Sequence, residues 1–325
     1  MNVLVVGYGS IGKRHVRNLL NFASVTEINV YTKIKDGLDD TSKQKVAFID
    51  ASINDLASVT DQYRFDFAII ANETYKHIDT AIILAERGIH LFIEKPFTHN
   101  YEKLDILEEI VGKNGIKLLI AYNLRYLPVI QYIKKQLSQE VLGHLYFAQI
   151  EVGQFLPSWR STVNYTDCYS SKSEFGGGVA LDLSHEVDYM RFLFGEPAFW
   201  KTMKSKASTL DINCEDIFEG IYQYKQGFIC HIHMDYLQLK AKRQIRIVGS
   251  HGQITCNLID KWIDVETTDH KTRLTDDYLF ATEDTYKMEL KRFIETIKSD
   301  KAVDISIDDG IKVLELLEDS HDRKI

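Results

Sequence analysis

The sequence predicts an α/β chain of two domains: a doubly wound parallel sheet, then an α+β domain with an open, mostly antiparallel sheet. Three observations carry this. Short apolar runs alternate with helical patterns at the N-terminal end. Farther along, β-like stretches follow one another with few helices between them. The chain has 325 residues, more than one domain usually holds. The change of period falls near Tyr122–Pro128. It sets a first domain of residues 1–123 and a second of residues 124–325.

In the first domain, Asn2–Val6 reads as a buried strand and Lys13–Asn21 as a helix. Glu27–Tyr31, Lys45–Asp50, Phe65–Ala71, Ile89–Glu94 and Lys117–Tyr122 read as further strands. Helices are expected near Ile53–Asp61, over Tyr75–Arg87, and from a cap at Asn100 to about Lys113. Gly88 and Gly115 stand where C-caps belong. Strands alternating with helices imply right-handed crossovers and a sheet covered on both faces. In the second domain a helix near Val129–Leu137 precedes β-like stretches at Leu145–Phe155, Phe199–Ser208, Phe218–Tyr224, Phe228–Leu237 and Gln244–Val248. One helix is expected over Val179–Phe194, and two more near Thr285–Lys298 and Asp308–Glu318. Consecutive strands without helices between them favour antiparallel pairing.

Hydrophobic residues make up 45% of the chain and charged residues 26%, enough for substantial cores. The net charge of −8, with both signs mixed, argues against non-specific nucleic-acid binding. No apolar run reaches the roughly 18 residues of a membrane span, and the N-terminus opens straight into a strand. Cys168, Cys214, Cys230 and Cys256 are scattered, which suits reduced thiols in a cytoplasmic protein. Cys230-His231-Ile232-His233 invites a zinc reading. In a strand, however, the two histidines face one side and the cysteine the other, and no second ligand cluster follows. No metal is expected.

The clearest motif is Gly7-Tyr8-Gly9-Ser10-Ile11-Gly12. Such a glycine pattern is weak alone, but here it follows an apolar strand and opens a helix, the context a dinucleotide site needs. The first glycine permits the tight turn. The second lets backbone approach a pyrophosphate, and the third lets helix and strand pack closely. The helix N-terminus offers free N–H groups to the phosphates. This domain is therefore expected to be a Rossmann domain. Cofactor choice turns on the end of the second strand, where an NAD enzyme usually carries an acid. Here Thr32 and Lys33 stand there, followed by Lys35, and a hydroxyl and a cation suit a 2′-phosphate. NADP(H) is preferred over NAD(H).

Three further segments go beyond the fold: Ala71-Asn72-Glu73-Thr74-Tyr75-Lys76-His77 followed by Glu94-Lys95-Pro96; Tyr122-Asn123-Leu124-Arg125; and Gly176-Gly177-Gly178 leading to Asp182-Leu183-Ser184-His185-Glu186-Val187-Asp188. With the fingerprint, and in this order, they resemble the glucose–fructose oxidoreductase / inositol dehydrogenase (Gfo/Idh/MocA) family. The resemblance implies hydride transfer between NAD(P) and a carbinol carbon of a sugar, sugar nucleotide or polyol. It implies Lys95, Asp182 and His185 as catalytic residues. Asn72, Thr74, His77, Glu94, Pro96, Asn123 and Arg125 match positions near the cofactor and the domain junction. Trp159-Arg160 resembles a segment that often approaches the cofactor. The family usually has three residues between the aspartate and the histidine; here there are two. The likeness is to a subgroup with Asp-Leu-Ser-His, some of whose members look like enzymes of surface-glycan or nonulosonate sugar pathways.

The chemistry suits these residue types. Removing or adding a hydride at a carbinol requires a partner for the hydroxyl proton and positive charge near the developing alkoxide. Lys95 follows a strand's carboxyl end, where ligands bind in open α/β sheets. An unperturbed histidine changes charge near neutrality, so a residue of this type at 185 can serve either direction. On a continuous helix, Asp182 and His185 would lie roughly 60° apart, away from an apolar stripe of Leu183, Val187, Met190 and Phe194. Asp182 would then orient the substrate or His185, and Glu186 and Asp188 share the neighbourhood. A second reading keeps the cofactor site in a non-catalytic NADP(H) sensor. The open sheet face is expected to expose apolar surface and to join subunits in a dimer or tetramer.

Overall fold

A computed structural model describes residues 1–33, 45–159, 163–299 and 301–319. Lys35 and Arg160, both singled out in the sequence, lie outside the described residues. The chain forms two compact units, residues 1–121 with 286–310 and residues 122–285 with 311–325.

In the first unit the elements are β1 (Asn2–Val6), α1 (Ser10–Leu19), β2 (Glu27–Thr32), β3 (Val46–Asp50), α2 (Leu56–Gln62), β4 (Phe67–Ile70), α3 (His77–Ala85), β5 (His90–Glu94), α4 (Leu104–Asn114) and β6 (Leu118–Ala121). The strands pair in parallel in the order β3-β2-β1-β4-β5-β6. The order reverses between β1 and β4, which makes the carboxyl end of β1 the switch point where ligands bind in such sheets. β4 and β6 are buried throughout, as strands covered on both faces must be. Asn100 does not cap α4. Its side-chain oxygen accepts from the Glu102 amide, and the helix starts after Lys103 in a left-handed conformation. Asn100 thus orders the turn that precedes the helix.

The second unit holds α5 (Pro128–Ser138), β7 (Leu145–Gly153), α6 (Val179–Asp182), α7 (His185–Phe194), β8 (Phe199–Ser205), β9 (Ile217–Gln223), β10 (Ile229–Asp235), β11 (Lys242–Gly249), β12 (Gly252–Asn257), β13 (Trp262–Thr267) and β14 (Lys271–Leu274). Eight strands pair in the order β14-β13-β12-β11-β7-β10-β9-β8. All neighbours are antiparallel except β7 and β10. Strand register sorts the two faces. Cys230, Ile232 and Met234 of β10 are fully buried on one, while the other carries Ile229, His231 and His233. Phe199 and Met203 of β8, Ile221 of β9 and Ile229 are exposed on that second face.

The chain closes with α8 (Thr282–Ile297) and α9 (Ile307–Leu316). It enters the first unit within α8 and leaves it within α9, whereas the change of period places residues 124–325 in the second domain. Leu290, Phe293 and Ile294 are buried in the first unit's core, with Phe293 edge-on to Phe67 and Phe92. The apolar stripe of a helix shows that a face is buried but not which core receives it.

The second sheet face also carries a polar cluster. Glu219 bonds His231 Nε2 at 2.7 Å and His233 Nδ1 at 2.6 Å, and His233 Nε2 meets Asp235 at 3.0 Å. Asp235 and then Glu219 outweigh burial and push the His233 imidazole up to about 9. A raised folded-state value stabilises the fold below the unfolded pKa, near 6.5, and this contribution is lost as pH rises through about 9. Urea unfolding of the wild type is therefore expected to weaken, by the order of 2 kcal/mol, between pH 6.5 and 9.5. His233→Gln should flatten that decline. An equally steep loss in the variant would remove His233 as its source.

Candidate functional site

In the first unit the fingerprint forms the turn from β1 into α1. Gly7 has φ of 97°, in the region that favours glycine, and a Cβ there would stand 2.5 Å from the Ala71 carbonyl oxygen. A Cβ on Gly12 would overlap the Gly7 carbonyl oxygen. A Cβ on Gly9 would meet nothing within 4 Å. Gly7 and Gly12 thus close the turn against the protein, and Gly9 faces open space beside the N-terminus of a ten-residue helix with no acid in its first turn. Ser10 is exposed and Ile11 half-buried. Asn72 follows β4; its amide nitrogen donates to Thr80 Oγ1 at 3.0 Å. Its side-chain oxygen is buried and meets no hydrogen-bond partner among the described residues. An open glycine at a helix N-terminus and an unused buried acceptor fit a dinucleotide.

Thr32 ends β2 and is buried, while Lys33 is exposed. Beyond β4, burial pushes the Glu73 carboxyl up, but its own backbone N–H, Lys76 and Lys33 outweigh that and leave it below its ordinary range. Thr74 is buried in a short 3₁₀ turn. Lys95 directly follows β5, is half-buried, and joins Pro96 by a cis peptide bond. Glu94 is 7% exposed and bonds His15 Nε2 at 2.5 Å. His77 is 1% exposed; Nδ1 faces the Pro96 and Phe97 carbonyls, and Nε2 faces the Asn72 carbonyl. Burial holds its pKa below the ordinary histidine range. His77 therefore supports the two strand ends instead of presenting a nitrogen to a ligand.

In the second unit the expected helix over Val179–Phe194 is broken. α6 ends at Asp182, Leu183 leaves helical geometry (φ −102°, ψ 23°), and α7 starts at His185. The continuous-helix angle between Asp182 and His185 does not apply. Nor does the stripe: Val187 and Met190 are fully buried, but Leu183 and Phe194 only partly. Gly178, with φ of 114°, opens α6 where a Cβ would overlap the Glu215 carboxylate. Asp182 is 3% exposed and accepts from the Tyr236 hydroxyl at 2.7 Å. Tyr236 in turn meets Trp159 edge-on at 5.2 Å, and the Trp159 indole donates to the Gln154 carbonyl. His185 is half-buried and edge-on to Tyr122 at 5.7 Å.

The other sequence candidates of this unit are committed to structure. Arg125 makes a two-pronged ion pair with buried Asp188, at 2.7–3.0 Å. The Asn123 amide donates to Thr285 Oγ1 at 2.6 Å. Glu186, fully buried, pairs with Arg243 at 2.6 and 2.9 Å. Sequence reasoning missed His15, Tyr236 and Arg243. His15 follows the fingerprint by three residues, but nothing in the pattern marks it. Arg243 comes from β11 and Tyr236 from just past the end of β10, and neither carried a signal.

The glycine geometry makes a distinction that can be measured. Gly9→Ala is expected to leave the unfolding midpoint within a few degrees and to weaken dinucleotide binding at least about tenfold, because its methyl enters the space a pyrophosphate needs. Gly12→Ala is expected to lower the midpoint as well, because its methyl meets backbone. Unchanged binding by Gly9→Ala in a fluorescence titration would place the cofactor elsewhere.

Known proteins were compared with this chain. The family described as "Oxidoreductase family, NAD-binding Rossmann fold" (GFO_IDH_MocA) matches residues 1–122. The GFO/IDH/MocA C-terminal domain matches residues 130–255. Oxidoreductase P35 of Formosa agariphila is 26% identical over 200 residues, and the match spans 60% of each chain. Myo-inositol 2-dehydrogenase of Thermotoga maritima is 23% identical over 321 residues, covering 95% of this chain and 92% of that one. Among solved structures, the WlbA dehydrogenase from Bordetella pertussis, in complex with NADH and UDP-GlcNAcA, superposes with a TM-score of 0.80. It is 19% identical, covers 98% of this chain and 93% of its own, and at that identity shares the fold alone. No helix among the described residues is long and apolar enough to cross a membrane. With the two family domains matched in order along most of its length, the chain belongs to the Gfo/Idh/MocA oxidoreductase family.

Proposed function

We propose that this protein is an NAD(P)-dependent oxidoreductase acting on a CH–OH group of a sugar, sugar nucleotide or polyol, with NADP(H) preferred over NAD(H). The observation that carries the reading is the open approach at Gly9, at the switch point of the parallel sheet and the N-terminus of α1. Gly9, Ser10 and Ile11 would hold the pyrophosphate, with Lys33 toward the 2′-phosphate. Asn72 would offer its unused oxygen to a ribose hydroxyl. The substrate class is supported by a relative named for myo-inositol.

A nicotinamide held at this turn would supply the hydride-transfer chemistry for the carbinol carbon. Lys95 offers an ammonium to the substrate oxygen, holding charge there as the carbon–oxygen bond order changes. His185 takes the hydroxyl proton in oxidation and returns it in reduction. Asp182, buried and bonded to Tyr236, fixes the backbone and side chains that lead into α7 and orients rather than reacts.

Two measurements test this. Titration followed by nucleotide fluorescence is expected to show NADPH binding at least tenfold tighter than NADH, about 1.4 kcal/mol. Equal or tighter NADH binding would remove Lys33 as the determinant. With a panel of sugars, nucleotide sugars and polyols, Lys95→Ala and His185→Ala should each cut turnover by at least about 10²-fold, with cofactor affinity little changed. Near-wild-type rates in both would sink the assigned roles.

A further inference from the structure

The residues on either side of Lys95 are each fastened to a buried imidazole. Before it, Glu94 bonds His15 Nε2 at 2.5 Å. After it, His77 Nδ1 lies 3.1 Å from the Pro96 carbonyl oxygen and 3.3 Å from that of Phe97. His77 and the strand ends it joins form one local cluster. His15 comes from elsewhere in the fold, from the sixth position of α1. That places it roughly 8 Å along the axis from the N-terminus where Gly9 opens.

The His15–Glu94 pair is built to be rigid. His15 is 0% exposed, and its ring stands edge-on to Phe92 at 5.2 Å and Tyr286 at 6.3 Å. Its Nδ1 is buried and meets no hydrogen-bonding group among the described residues. A proton on Nδ1 would be a buried donor without an acceptor, so the proton is assigned to Nε2, which donates to Glu94. A carboxylate as buried as Glu94 in turn needs such a donor. Successive side chains at a strand end point to opposite sides. Pinning Glu94 toward α1 therefore fixes the side on which Lys95 emerges, consistent with Lys95 being half-exposed directly after a buried glutamate.

We propose that His15 is a positioning residue for the reaction: through Glu94 it sets the orientation of Lys95, and it makes that orientation depend on how the phosphate-binding helix α1 is seated. The proposal rests on the reading of Lys95 as the group that meets the substrate oxygen. It is separable from that reading because the orientation of a lysine can be measured without turnover.

The experiment uses the full-length protein with His15→Leu, which removes the donor, and His15→Gln, whose amide reaches Glu94 from a similar distance. The rate of Lys95 acylation by an amine-reactive reagent is read by mass spectrometry, alongside kcat and the NADPH dissociation constant. His15→Leu should change the labelling rate at least about threefold and lower kcat at least about tenfold, with NADPH affinity within about threefold of wild type. His15→Gln should restore labelling and kcat to within about threefold of wild type. Should His15→Leu fail to fold, His15→Asn replaces it, because its amide falls one methylene short of Glu94. Wild-type labelling and turnover in the donor-less variant, or a folded His15→Gln as impaired as His15→Leu, would overturn the proposal. A wild type that turns over no sugar or polyol overturns the dehydrogenase reading instead, and labelling alone then decides the role of His15.

Discussion

The first unit is organised by how closely α1 can approach the sheet. Gly7 lies against the carbonyl of Ala71, and Gly12 lies on the carbonyl of Gly7. No side chain fits at either contact, so the helix begins where β1 ends. Three consequences follow from these two contacts. The free N–H groups of α1 open beside Gly9. Asn72, at the end of β4, is brought next to the turn that Gly7 makes. And His15, farther along the same helix, reaches the end of β5 and meets Glu94. Displacing α1 by even a methyl group would disturb all three, because they share a single rigid body.

The second unit positions its candidate residues in a different way. α7 is buried on nearly every side, although it carries Glu186, Asp188 and Arg191. Glu186 takes Arg243 from β11, and Asp188 takes Arg125 from the turn after β6. Such pairs add little net stability over apolar side chains, but losing one partner costs about 3–5 kcal/mol, since a charge is left buried alone. Both pairs are two-pronged, which fixes direction as well as distance. Gripped one and three residues beyond His185, α7 has little freedom to rotate, and the position of His185 at its first turn follows. Asp182 is separated from this helix by the break at Leu183 and is held by a different strand end, through Tyr236.

Much of this architecture was legible in the sequence, because strand and helix periods differ and the fingerprint sits in its required context. The parallel half is legible strand by strand, and the period-two alternation of β10 puts His231 and His233 on one side. What could not be read has a common cause. Whether Val179–Phe194 is one helix or two is decided by the dihedral angles at Leu183, beside an Asp182 that is bonded to Tyr236, more than fifty residues away. Whether α8 fills the first core or the second depends on Phe67 and Phe92, not on the helix itself. Asn100 looks like a cap by type, yet the backbone at Lys103 decides where α4 starts. In each case the deciding contact is distant, or lies in a dihedral angle that residue type does not fix.

The same argument says where to look for function. Read locally, His-Glu-Val-Asp at the start of α7 is the polar edge of a surface helix. His15 in α1 and His77 in α3 look like ordinary helix-face residues. Yet Glu186, Asp188, His15 and His77 are all at most 1% exposed. A chain folding for stability alone would place apolar side chains there. Local pattern and burial disagree at the carboxyl ends of β4 and β5 and around the break between α6 and α7, and there the fold gives up stability for orientation. Beside each place stands a half-exposed, ionisable side chain, Lys95 in the first unit and His185 in the second. A scaffold that merely bound a dinucleotide would need the glycine turn, but it would not need a buried carboxylate held by an imidazole before Lys95 or two buried carboxylate–arginine pairs just beyond His185.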